Sequence, residues 1–190
     1  MARARHPAHI RESPGSRARM THEHSGLAAE LLRRMAVDQH ARGVREDGRV
    51  SPDGAAILRV DAENASWLGP VLDRYGWPGH RMVGEEAANA AWLLAQHADA
   101  SPVLQRRALE LLTSAAASGD ATSRQLAYLM DRCQVNQGLP QTYGTQYVTG
   151  PDGQLAPHPI ADIAHLDERR ARAGMEPQAE YDAVVRRFAG

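Results

Sequence analysis

Apolar residues recur at helical spacing along most of the chain, and the periodic runs break at glycine and proline. Leu27, Leu31, Leu32 and Met35 open the first run, which predicts a helix from about Gly26 to Arg42 before Gly43. Residues 45–59 are rich in Gly, Asp and Pro and read as a loop, after which Asp61 is placed to cap a helix carrying Trp67, Leu68, Val71 and Leu72. Pro70 is expected to kink or split that helix, and Gly76 with Pro78 to end it.

The most regular run spans Gly84 to Ala98. Ser101-Pro102 then starts a helix that Gly119 closes, and Thr122 or Ser123 caps another that reaches about Asn136. Helical period disappears between Gln141 and Pro159, where Gln146–Thr149, a Gly-Pro-Asp-Gly turn and Gln154–Ala156 predict a small hairpin. Two short helices, about Asp162–Ala173 and Pro177–Phe188, finish the chain. Residues 1–25 have almost no apolar content and are expected to form a disordered tail, with Met20 as an alternative start. The reading is a mainly α, compact multi-helix single domain over residues 26–190 with one small β-hairpin.

Composition narrows the chemistry. The 22 basic and 23 acidic side chains nearly cancel, so no net field argues for nucleic acid or an anionic membrane as partner. All the basic residues are arginine, which excludes Schiff-base chemistry and a lysine-bearing phosphate loop. The lone cysteine, Cys133, rules out an internal disulfide and reads as a small buried hydrophobe. No apolar run approaches a membrane span and no secretory signal opens the chain, so a cytoplasmic location is expected.

Candidate chemistry concentrates in three polar motifs. On the Gly84–Asp99 segment, Glu85, Asn89, Trp92, Gln96 and Asp99 share one stripe opposite a face of alanines and Leu94. His97 lies near its end and is the candidate acid or base, with Glu85 or Asp99 as its carboxylate partner. Tyr128, Asp131 and Arg132 form the second motif on the following helix. The third crowds Gln141, Tyr143, Thr145 and Gln146 around Gly144, a set of amides and phenols suited to recognising a polar, neutral group.

LLRRMAVDQHAR (31–42), YGWPGHRMVGEEAANAAWLLAQHAD (75–99), Gln105, LAYLMDRCQVNQGLPQTYGTQ (126–146) and DERRARAGMEP (167–177) together resemble a bacterial family of unknown function, over about residues 27–188. The resemblance implies a helical fold and locates a site, but carries no activity, cofactor or substrate.

The functional expectation is an acid/base enzyme of bacterial metabolism acting on a small molecule or peptide. His97, Asp99 and Glu85 would be catalytic, and Gln96, Gln105, Asp131, Arg132, Gln141, Tyr143, Gly144, Thr145 and Gln146 would bind substrate. No cofactor or metal is called for, because one helix offers too few ligands. The alternative is a non-catalytic binding or interaction protein whose polar motifs satisfy one another. The enzyme reading supposes that His97 and the 141–146 loop meet at one hollow.

Overall fold

The computed structural model describes residues 14–43, 52–151 and 153–189. The helices in chain order are α1 (Pro14–Ala41), α2 (Gly54–Tyr75), α3 (His80–Val83), α4 (Glu85–Gln96), α5 (Pro102–Ala117), α6 (Ser123–Asn136), α7 (Leu166–Arg172) and α8 (Gln178–Ala189). A hairpin of β1 (Tyr147–Thr149) and β2 (Leu155–Pro157) lies between α6 and α7, and a 3-10 turn at Ile163–His165 leads into α7. The fold is mainly α, as the periodicity requires, and among the described residues no helix is long and apolar enough to cross a membrane.

α4 is the central helix and packs against α1, α2, α5 and α6. Its alanines permit this, because Ala87, Ala90, Ala91 and Ala95 are almost wholly buried and keep neighbouring backbones close. Around them the larger core side chains Leu31, Leu68, Leu72, Leu112 and Leu129 converge from the four partner helices. Trp92 is drawn inward from the polar stripe: its indole Nε1 donates to the Gln125 carbonyl at 2.9 Å and its ring meets Tyr128 edge-on.

Several boundaries follow local chemistry directly. Thr122 and Gln125 form a reciprocal capping box at the start of α6, and Pro102 occupies the first turn of α5. The hairpin pairs Val148 with Ala156. Others differ from the sequence reading. α1 begins at Pro14, well before Gly26, with a proline in its first turn, where the missing N–H is not needed; residues 1–13 lie outside the described residues.

α2 begins at Gly54, not beyond Asp61, because the Asp53 carboxylate accepts the Ala55 and Ala56 N–H groups and caps a run of good helix formers. Residues 45–51 of the expected loop lie outside the described residues. Pro70 does not split α2. It and Ser66, one turn earlier, are both exposed, so the carbonyl that loses its donor faces water.

Between α2 and α4, α3 is pinned by Asp120, whose backbone carbonyl accepts from His80 N–H and whose carboxylate accepts from Arg81 N–H at 2.8 Å. This clasp passes directly over Gly79, where a Cβ would lie 2.6 Å from the Asp120 backbone oxygen and closer still to its carboxylate. Gly79→Ala therefore forces backbone to move and is expected to cost about 2 kcal/mol, read as a lowered denaturation midpoint. A midpoint equal to wild type would show that the clasp yields freely.

Candidate functional site

α4 ends at Gln96, and His97 is its C-cap residue. The break in the helix lets residues 97 and 99 turn to different neighbours. The His97 ring turns to α1, where Nδ1 lies 2.9 and 3.1 Å from the two carboxylate oxygens of Asp38. An ionised carboxylate can only accept, so Nδ1 carries the proton and a neutral ring presents Nε2 as an acceptor. No described residue bonds Nε2, and the side chain keeps 18% of its surface exposed.

Asp38 itself is fully buried. Besides His97 it accepts Arg42 Nη1 at 2.7 Å and Gln39 Nε2 at 2.9 Å, which compensates the burial of its charge. Arg42 extends the network to α2 by donating Nη2 to both oxygens of Asp61, at 2.8 and 2.9 Å. Asp38, Asp61 and His97 place one ligand atom each within 4.8 Å of one another, close enough to hold a cation, with Arg42 already bridging the two carboxylates.

The carboxylate partner of His97 is thus neither Glu85 nor Asp99. Glu85 is the first residue of α4 and His97 follows its last, so at 1.5 Å per residue they stand roughly 18 Å apart. Glu85 instead lines a cavity of about 390 Å³ with Trp77, His80 and Asp120.

Asp99 faces α6. Arg132 grips it through Nε at 2.9 Å and Nη2 at 2.5 Å, and Asn136 and Gln105 add further donors. Burial works to raise the Asp99 carboxyl, but Arg132, Asn136 and Gln105 outweigh it and hold it below its ordinary range.

Arg132 also carries the contact onward to the loop, donating Nη1 to Gln146 Oε1 at 2.9 Å. The structure therefore brings Asp99, Gln105, Arg132 and Gln146 together, as a bonded chain rather than as open donors. Gln141 is fully buried: its amide donates to the Gln146 and His158 carbonyls and accepts the Gln146 N–H. Asp131 is equally buried and gathers the N–H groups of Thr142, Tyr143 and Thr145 with the Thr145 hydroxyl, all at 2.8 to 2.9 Å.

Gly144 closes the loop at φ +71, where a Cβ would also strike the Gln178 amide at 2.6 Å. Tyr143 packs with Ala127, Ala173 and Met175, and its carbonyl accepts from Arg170, a guanidinium buried completely on α7. Gln96 is different: it is buried and its Nε2 finds no partner among the described residues. Cys133 is held as a thiol, since burial raises it to about 11.

A family model covers residues 25–189, nearly all of the described chain. The chain belongs to DUF6624, a family of unknown function. No curated protein and no solved structure matches it.

In this DUF6624 chain the residues that sequence reasoning passed over are Asp38, Arg42, Asp61 and Arg170. A signal existed for two of them. Asp38 follows Leu31 by two turns on the core face of α1, and Arg170 follows Leu166 by one turn on α7, so each is a charge at an apolar position.

Proposed function

We propose that this protein is an acid/base enzyme acting on a small molecule or peptide in bacterial, cytoplasmic metabolism, with His97 as the proton-transfer group and Asp38 orienting it. The observation that carries this is the buried Asp38 carboxylate on Nδ1 of a partly exposed imidazole whose Nε2 has no partner among the described residues. That arrangement fixes the ring and leaves one nitrogen facing outward to take or give a proton. The unpaired Nε2 of Gln96, one residue earlier, is a donor that a substrate acceptor would satisfy.

The second reading is a non-catalytic binding protein, favoured by the 141–146 loop, whose side chains bond one another. In the enzyme reading that loop is tied to α6 and to Asp99 through Asp131 and Arg132 and acts as a support.

The test is turnover of a panel of chromogenic esters, amides and glycosides by wild type and His97→Gln. Wild type is expected to turn over at least one member, and His97→Gln to lower that rate by about 100-fold or more while staying folded at the assay temperature. No turnover across the panel, or turnover indifferent to His97, would favour the non-catalytic reading.

A further inference from the structure

Along the seam between α1 and α2 lies a groove of about 600 Å³, apart from the side chains assigned above. At its floor is Asn64, which is 4% exposed. Its Oδ1 accepts from Arg34 Nη1 at 3.1 Å, and its Nδ2 is buried without any partner among the described residues. Buried amide donors are almost always paired, so an orphan lining a cavity marks a place for an acceptor.

The walls define what kind of acceptor. The Arg34 guanidinium sits 4.5 Å from the Trp67 ring centroid, and Val37 beside it is exposed. Arg33 and Arg34 share the Glu30 carboxylate, with both contacts at 2.7 Å, and Glu63 balances the second charge, so what the groove offers is the donor face of Arg34, whose Nη2 has no partner among the described residues. Glu63 lines the groove from an exposed position, as Arg33 does, so water screens both. Guanidinium and amide donors meet an aromatic and an aliphatic wall, a combination that suits an anion carried on an apolar body.

We infer that this groove binds an organic carboxylate, whose oxygens accept from Asn64 Nδ2 and the Arg34 guanidinium while its apolar part lies on Trp67 and Val37. The site stands independently of the His97 reading, since neither His97 nor Asp38 lines it.

Calorimetric titration of the full chain with phenylacetate tests this, with phenylacetamide and inorganic phosphate as comparison probes. Saturable binding of phenylacetate is expected, at least tenfold tighter than either comparison probe, and at least tenfold weaker in Asn64→Leu. His97→Gln should bind as wild type does. Val37→Glu, a change at an exposed position that keeps the fold, should weaken binding at least tenfold even if Asn64→Leu fails to fold. Equal affinity for phenylacetamide would overturn the charge recognition, and equal affinity for phosphate the apolar wall. Failure of phenylacetate to bind, or binding undiminished in Val37→Glu, would overturn the site itself.

Discussion

Replacing Asp131 with asparagine is expected to destabilise the domain by about 3 kcal/mol and to loosen the 141–146 loop first. The Asp131 carboxylate is fully buried and accepts only from loop donors: three backbone N–H groups and the Thr145 hydroxyl. An amide of the same shape keeps one acceptor oxygen and turns the other into a donor. Whichever way it faces, an N–H meets an N–H, and at least one buried backbone donor is left unpaired. The loop has no regular secondary structure to fall back on, since only Gln141 joins a ladder, through its bridge to Ile160. Urea denaturation should show the loss as a lower midpoint, and hydrogen exchange should show faster exchange of the Thr142, Tyr143 and Thr145 amides. Unchanged protection of those amides would mean that the carboxylate is not what holds the loop.

Asp38→Ala should be at least as damaging, at about 3 to 5 kcal/mol. Asp38 is the buried anion that joins α1 to the end of α4 through His97 and receives Gln39 from its own helix and Arg42 from the turn that follows it. Truncation leaves the Arg42 guanidinium, 20% exposed at its side chain, with Asp61 alone to balance it. Removing both charges in Asp38→Ala/Arg42→Ala should recover part of the loss, because the uncompensated cation goes as well. Strict additivity of the two single changes in denaturation free energy would contradict the coupling.

What could be read from the chain was what local chemistry decides. Thr122 and Gln125 three residues apart announce a capping box, Pro102 after Ser101 announces a helix start, and Gly-Pro-Asp-Gly between short alternating runs announces the hairpin. The start of α2 was misread because Pro52-Asp53-Gly54 has the composition of a turn, while Asp53 acts there as an N-cap. The two motifs have the same letters and differ in the backbone angles of the next residues.

The site was legible as a set of polar clusters and not as a geometry. Spacing reports which side chains share a helix face within a turn or two, so Asp131 and Arg132 could be nominated and Asp38 could not be matched to His97 across 59 positions. For the loop, the crowding of Gln141, Thr145 and Gln146 was visible, but the donors that meet Asp131 are mostly backbone N–H groups, whose directions no residue name encodes. Sequence nominates Glu85, on the polar stripe, as a partner for His97, which lies off that stripe near the helix end. The length of α4 separates them, and the end of the helix at Gln96 turns His97 and Asp99 toward different partners.

The pairing of His97 with Asp38 is most directly tested by long-range ¹H–¹⁵N correlation of the imidazole nitrogens at alkaline pH, where the ring is neutral. The structure predicts the Nδ1–H form for His97, with Nε2 unprotonated, and its reversion toward the Nε2–H form that free histidine prefers in Asp38→Asn. A wild-type His97 protonated at Nε2, or a tautomer unmoved by Asp38→Asn, would contradict the proposal that Asp38 sets the ring for proton transfer.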